Sequence, residues 1–333
     1  MRYAAFLAIL ALLFASNLYA EPQTLQERTP SLEKRVTELE KAVESLKSEM
    51  ASTRMAPVPD RLSLCDQQIP LSNEDVREAF EREFYQFLET KGLLTILVKR
   101  YGKFLNVVSE ELDRTAMPPD LIYLAIAESY LNPRAVSKAS AGGLWQFVKD
   151  TGKREGLFID EQIDERYSVT RSTRSALGYL NKLHAEFGDW FLAMAAYNAG
   201  EVRLREAIQN QNTKDFFEMF LPEETDRYVY RVAALKEILA NPHKYGLPIE
   251  KADYYKPYAV VEVTVDLEAE THTAVLALAM DLPYRTFRHY NLHIRKYKLP
   301  RGVYHLYIPV EKKETFLKRI RMNQTIGVVK ESS

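Results

Sequence analysis

The chain has 333 residues, 46% hydrophobic and 27% charged, a balance that suits one sizeable globular domain with smaller modules attached. Its 45 basic and 46 acidic side chains leave a formal net charge of −1, so no global field exists to gather nucleic acid or an anionic membrane. The six histidines are scattered, HExxH and paired CxxC spacings are missing, and a single cysteine, Cys65, excludes an intrachain disulfide; no metal or other cofactor is expected.

In chain order, Arg2 precedes an apolar run from Ala4 to Phe14 that gives way to small and polar residues ending in Leu18-Tyr19-Ala20. This is the layout of a secretory signal peptide, residues 1–20, and it predicts export to the periplasm or cell envelope. The run is shorter than the about 20 residues that span a bilayer, which disfavours the alternative of a membrane anchor. No cysteine stands at the cleavage site to carry a lipid. Residues 21–66 read as a coiled coil followed by a linker. Leu32, Leu39 and Leu46 alternate with Val36, Val43 and Met50 over 31–50, a short heptad run. It predicts a homo-oligomer or a protein partner, or else a solvated helical spacer. Pro57, Pro59 and Ser63 mark 51–66 as linker. Cys65 reads as a free thiol, an intermolecular bridge or a shielded small side chain.

From about Asp75 the pattern is densely helical, with helices expected near 74–90, 92–114, 119–131, 145–155, 170–187, 189–197, 201–209 and 224–240. Together they predict one all-helical domain over about 67–250. Beyond Pro248, Tyr258–Val265 reads as a strand, Glu270–Met280 and Tyr284–Asn291 as helices and Gly302–Val310 as a second strand. This predicts a small α+β module over 255–315, strand-helix-helix-strand, followed by a fraying tail over 316–333. The expected fold class is mainly α.

One segment stands out. Pro119-Asp120 opens a helix whose next seven residues, Leu121 to Ala127, are apolar or aromatic, and Glu128 follows on the face of Leu121, Leu124 and Ala125. A carboxylate there is desolvated and its pKa rises, which suits a general acid at neutral pH. A helix-end charge that has reached solvent, or a buried ion pair, fits the same local pattern. Two further segments bear on the choice. Ser140-Ala141-Gly142-Gly143-Leu144-Trp145-Gln146 is a small-residue loop that lets backbone approach a ligand and offers the Gln146 amide. Ala195-Ala196-Tyr197-Asn198-Ala199-Gly200 ends a helix with two polar tips before its glycine cap. Taken singly, each also reads as a turn, a core tyrosine or a helix stop.

In combination these residues resemble the lysozyme-like domain of the soluble lytic transglycosylases, glycoside hydrolase family 23. Glu128-Ser129-x-x-Asn132-Pro133 is similar to the family's catalytic Glu-Ser motif, and Ser137 falls where the family has a serine before its glycine loop. Gly143-Leu144-Trp145-Gln146 is similar to Gly-Leu-Met-Gln, with Trp145 in place of methionine. Ala195–Gly200 matches Ala-Ala-Tyr-Asn-Ala-Gly, and Glu224-Thr225-x-x-Tyr228-Val229 matches the late Glu-Thr-x-x-Tyr-Val motif. Four motifs in order cover about 67–250, and the wording around Glu128 is nearest to the D-type membrane-bound branch. Glu201 and Val148 depart from the wording of many relatives. The C-terminal module is similar to a degenerate carbohydrate-binding LysM fold that lacks the usual Gly-Asp-Thr-Leu stretch; a structural cap is the alternative.

The resemblance implies cleavage of peptidoglycan glycan strands by one carboxyl group. Glu128 would protonate the bond between N-acetylmuramic acid and N-acetylglucosamine, then deprotonate the sugar's own 6-hydroxyl, leaving a 1,6-anhydro end. It implies that Gln146, Asn198 and the backbone at Gly143 and Leu144 orient the sugar. Tyr197 and Tyr228 would fix substrate and Glu128, and Ser129 and Ser137 would supply hydroxyls nearby. Glu224 is either a partner for a hydroxyl or a favourable charge at a helix start. Two rivals stand beside this reading. A lysozyme-type hydrolase would need a second carboxylate from Asp160, Asp164 or Asp189. A non-catalytic wall-binding scaffold would need none.

Overall fold

The structure, a computed structural model, describes residues 33–44, 56–322 and 325–331. The expected signal peptide, the heptad positions Leu32, Leu46 and Met50, and the start of the linker lie outside the described residues. The chain divides into two compact units, Met1–Pro57 and Val58–Ser333. In the first, residues 33–44 form helix α1, on which Val36, Leu39 and Val43 are exposed.

The second unit opens with a hairpin where a linker is expected. Strands β1 (Leu62–Leu64) and β2 (Gln67–Ile69) pair antiparallel, Leu64 opposite Gln67. The two connecting residues, Cys65 and Asp66, adopt φ of 52° and 61°, as a two-residue hairpin turn of this twist demands. Neither is the glycine or asparagine that announces such a turn in a sequence. Leu62, Leu64 and Ile69 are buried, so the hairpin adds to the core. Cys65 is buried and free.

The helical body follows: α2 (Glu74–Leu88), α3 (Lys91–Thr115), α4 (Ile122–Ser129, entered through a single 3-10 turn), α5 (Lys149–Arg154), α6 (Val169–Phe187), α7 (Trp190–Ala199), α8 (Glu201–Gln211) and α9 (Glu223–Ala240). Caps explain the boundaries. The Ser168 hydroxyl accepts the Arg171 amide at the start of α6, the Asp189 carboxylate accepts Leu192 N–H at the start of α7, and Gly188, at φ 75°, ends α6. The helix expected over 145–155 forms only from Lys149, because the residues before it close the glycine-rich loop through bridges that pair Gly142 with Val136 and Phe147.

Beyond α9, β3 (Val260–Leu267) is the centre of a three-stranded antiparallel sheet with β6 (Gly302–Pro309) on one side and β7 (Ile326–Glu331) on the other. A short pair, β4 (Thr271–His272) with β5 (Lys298–Leu299), brackets α10 (Thr273–Ala279) and α11 (Tyr284–Tyr290). The expected strand-helix-helix-strand order is thus present. The expected fraying tail is not. Residues 313–321 form α12 (Lys313–Arg321), which buries Phe316, Leu317 and Ile320, and β7 completes the sheet. Apolar residues spaced three and four apart give that charged segment a buried stripe, which its charge count conceals.

The small sheet packs directly on the helical body. Ile163 joins the core of Val263, Leu276, Phe287, Ile294 and Leu306. The Asp164 amide donates to His293 O at 2.7 Å and the Arg295 amide to Gln162 O at 2.6 Å. Arg171 meets Glu262 at 2.6 Å. Among the described residues, no helix is long and apolar enough to cross a membrane.

Candidate active site

Glu128 stands in the last turn of α4, whose preceding residues from Leu121 to Ile126 are all buried. The helix stops immediately after it: Tyr130 and Leu131 both take left-handed φ, 52° and 51°. Two consecutive non-glycine residues in that region are costly, and such strain gathers at functional sites. Here it turns the chain sharply toward the glycine loop while Leu131 stays buried.

The Glu128 carboxyl receives one well-defined hydrogen bond. The Tyr228 hydroxyl, on α9, donates to Oε1 at 2.5 Å. Burial pushes the Glu128 carboxyl up from 4.5 to about 7; the Tyr228 bond and the Arg231 charge pull it down, and Glu224 pushes it up. Arg231 neutralises little of that rise because its guanidinium is turned to Glu83, which is buried beneath Arg227 and Arg231. Burial also raises Tyr228 and Tyr197 well above the ordinary phenol value, so both remain hydrogen-bond donors across the physiological range.

The other residues singled out by the motifs make hydrogen bonds within the glycine loop, or tie that loop to the Glu128 helix and α7, and α7 to α9. Ser129 is buried; its hydroxyl donates to Leu144 O at 2.7 Å, tying the Glu128 helix to the glycine loop. Tyr197 donates to Trp145 O at 2.8 Å, fixing the next residue of that loop from α7. The Gln146 side-chain amide donates to Gly143 O at 2.8 Å and Ala135 O at 3.3 Å, and its own backbone sits at φ 51°. Asn198 Oδ1 accepts the Thr225 hydroxyl at 3.2 Å, joining the end of α7 to the first turn of α9. Ser137 is exposed, and its hydroxyl accepts the Ala141 amide at 3.1 Å, so it serves to close the loop. Glu224 is exposed in the first turn of α9, beside Glu223 and Asp226, a favourable place for negative charge.

Gly143 shows why this loop needs glycine. At φ 82°, a Cβ would lie 1.8 Å from the carbonyl oxygen of Arg166. Arg166 in turn holds the loop from below. Its guanidinium grips Asp164 through both carboxylate oxygens, at 3.0 and 2.8 Å, and donates to Ser140 O at 2.9 Å and Phe147 O at 3.2 Å. Trp145, the residue that departs from the motif, is fully buried and donates its indole N–H to Thr173 at 2.9 Å. Sequence reasoning did not single out Arg166, Thr173, Glu83 or Arg231. They lie outside the motifs, and an isolated arginine or glutamate in a sequence reads as an ordinary solvated charge.

The three aspartates that a hydrolytic partner would require are each engaged elsewhere. Asp160 Oδ1 accepts the Gln162 and Ile163 amides at 2.8 and 2.6 Å. Asp164 is paired with Arg166, and Asp189 caps α7 while accepting from Gln67 at 2.7 Å. Among the described residues, no group of three or more His, Cys, Asp or Glu side chains could hold a metal ion.

Residues 106–220 match the family described as Transglycosylase SLT domain, a segment that contains Glu128, the glycine loop and Asn198 but stops short of Tyr228. The chain is 32% identical over 224 residues to membrane-bound lytic murein transglycosylase D of Escherichia coli strain K12, covering 65% of this chain and 49% of that protein. It is 32% identical over 94 residues to membrane-bound lytic murein transglycosylase F of Alcanivorax borkumensis, covering 26% of this chain and 19% of that one. The chain therefore spans about half the length, or less, of these curated relatives. Among solved structures it is similar to the 70 kDa soluble lytic transglycosylase of Escherichia coli, with 22% identity, a TM-score of 0.37, and 46% of this chain and 26% of that chain covered. Residues 106–220, which include the Glu128 helix, thus match the transglycosylase SLT domain.

Proposed function

We propose that this chain is a peptidoglycan lytic transglycosylase in which Glu128 is the single catalytic acid and base. The observation that carries this reading is the state of that carboxyl: partly desolvated, raised to about 7 and held at one oxygen by Tyr228. Near neutral pH a large share of it is protonated, so it can deliver a proton to a glycosidic oxygen, and its conjugate base is strong enough to take one back. With Asp160, Asp164 and Asp189 occupied, ring closure by the sugar's own 6-hydroxyl is favoured over activation of water. Tyr228 donates to one carboxyl oxygen and leaves the other for the substrate. Gln146, Asn198 and the Gly143–Leu144 backbone would orient the sugar and its acetamido group, as the family resemblance implies, and Ser129 and Tyr197 would act through the loop they hold.

The same reading extends to the rest of the chain. The β3-α10-α11-β6 order supports a degenerate LysM-like module, here fused to the helical body through Ile163 and the Arg171–Glu262 pair. The exposed Val36, Leu39 and Val43 on α1 support pairing with a second helix. The run before Ala20 supports export to the periplasm or cell envelope.

The test is mass spectrometry of products from purified peptidoglycan, comparing wild type with Glu128→Gln. Anhydro ends with wild type and none with the variant are expected. Ends one water heavier would assign a lysozyme-type hydrolase, and equal release by the variant would remove Glu128 from the chemistry.

A further inference from the structure

A cleft lies between the helical body and α11 of the small module. It encloses about 470 Å³ and is lined by four arginines: Arg134 from the turn after α4, Arg285 and Arg288 from α11, and Arg295 just beyond it. His289 and Tyr167 complete the part that matters, and no acidic side chain lines it. Several arginines of the helical body are matched with carboxylates: Arg166 with Asp164, Arg171 with Glu262, Arg174 with Glu111, Arg227 with Glu83. Among the described residues, none of these four guanidinium groups has a carboxylate partner. Arg288 is half-buried, and the surrounding burial pushes it down. His289 is pushed down by burial and by the positive charges of Arg285, Lys103 and Arg134. Uncompensated positive charge held this close is unfavourable in the empty protein and favourable only with an anion bound.

The cleft also touches the catalytic loop. Arg134 and Val136, two of its lining residues, flank Ala135, whose carbonyl accepts the Gly143 amide at 3.0 Å and the Gln146 side chain at 3.3 Å. Tyr167, under the Arg295 guanidinium at 4.4 Å, presses its hydroxyl against Gly142. An anion seated among the arginines therefore lies beside the backbone that faces the sugar.

We propose that this cleft is a binding site for the carboxylates of the peptide stem carried by the glycan strand. The assignment rests on the proposed function: a strand at Glu128 bears, on its N-acetylmuramic acid units, short peptides with several free carboxylates. Planar guanidinium forks match carboxylates in pairs, and four of them suit a stem with more than one acid. With a net charge of −1, the chain has no general attraction for polyanions, so the local cluster supplies the selectivity.

The experiment uses the full chain carrying Glu128→Gln, so that ligands survive. Binding is measured to peptide-bearing glycan oligomers, to the same oligomers stripped of peptide by an amidase, and to the free stem peptide, with inorganic phosphate as competitor. Peptide-bearing oligomers should bind about 10-fold more tightly than stripped ones. Adding Arg134→Gln and Arg285→Gln, two exposed positions, should abolish that preference, and the corresponding lysine substitutions should restore part of it. The His289 imidazole resonance should move to a higher titration midpoint when the stem peptide binds. Equal binding of bearing and stripped oligomers would overturn the proposal, as would phosphate displacing the peptide at lower concentration than the peptide itself binds. Cleavage by the wild-type chain is scored separately: stem binding without release of anhydro products sinks the proposed function, and release without stem preference sinks only this cleft.

Discussion

The Tyr228 hydroxyl donates to Glu128 Oε1 at 2.5 Å, linking the last turn of α4 to the second turn of α9 across 100 positions of sequence. That bond stabilises the ionised carboxylate, since the tyrosine can donate to it, and it also fixes the orientation of the carboxyl group. Tyr228→Phe removes the donor and keeps the ring. The Glu128 pKa should then rise above its present value of about 7. Rate at neutral pH should fall by about 10- to 100-fold through lost orientation. A kcat/KM profile with its alkaline limb moved to higher pH checks this; a limb that stays in place would mean that the hydroxyl does not touch the reacting carboxyl in solution.

The raised carboxyl makes two linked predictions about pH. Activity requires the protonated acid, so kcat/KM should fall on the alkaline side with a midpoint near 7 and show no acid limb from a second carboxylate. A bell with an acid limb near pH 4 would instead point to a hydrolytic pair. Stability moves in the opposite sense to the usual paired carboxylate. Below the unfolded value of 4.5 both states hold the proton; between 4.5 and about 7 only the folded state does, so stability falls as pH rises through that window. The penalty is complete above it, at about 1–3 kcal/mol after allowance for partial solvent contact. Glu128→Gln should therefore be more stable than wild type at pH 8 and equal to it near pH 4, which thermal melts at the two pH values will read.

The legible parts of this chain are those where one chemical pattern has one outcome. Helical periodicity alone placed α6 and α7 to within a residue or two, and the structure adds Ser168, Gly188 and Asp189 as their caps. The apolar run before Glu128 announced burial, and burial raised the carboxyl. What remained hidden depends on contacts distant in sequence. Nothing local says that Arg166 will thread its guanidinium under residues 140 and 147, or that Glu83 will draw Arg231 aside. The hairpin at 62–69 was missed because its turn is Cys-Asp, which carries no glycine signal. Strand β7 was missed because its partner, β3, lies some sixty residues earlier in a stretch that already had β6 beside it.

Gly143 and Gly142 should respond differently to alanine. At Gly143 the added methyl meets backbone, Arg166 O at 1.8 Å, and φ is 82°. The loop must shift, taking with it the Leu144 carbonyl that anchors Ser129. Gly143→Ala should cost about 2–4 kcal/mol and most of the activity. At Gly142 the methyl meets the tip of the Tyr167 ring, its hydroxyl at 2.8 Å and Cζ at 2.9 Å, a side chain rather than backbone. A milder loss, about 1 kcal/mol, is expected there. Denaturant midpoints for both variants, with activity measured on the folded fraction, separate the two effects; equal losses would show that the loop is not clamped by Arg166.

A second tie sets the register of α9 against α4. Lys236, two turns beyond Tyr228, lies 2.7 Å from Asp120 Oδ2 at the entrance to the Glu128 helix, and it also donates to Ser63 O at 2.8 Å. The same Asp120 oxygen accepts the Cys65 amide at 2.7 Å. One lysine therefore clamps the hairpin, the start of α4 and the middle of α9, and Tyr228 meets Glu128 from the fixed helix. Lys236→Met keeps the stem and removes the charge, leaving Asp120 without its cation. The loss should be about 2–3 kcal/mol, with a several-fold lower kcat from slackened placement of Tyr228. Adding Asp120→Asn to Lys236→Met should recover part of the stability, because the orphaned charge goes with it. Cys65 reports the mechanical step directly. Its thiol is buried in the hairpin turn, and burial followed by the Asp120 charge pushes its pKa up, so it should be inert to alkylation in the native chain. If the clamp holds the hairpin, Lys236→Met should raise the native alkylation rate of this single cysteine well before global unfolding. An unchanged rate would mean that the hairpin is held by its buried leucines alone.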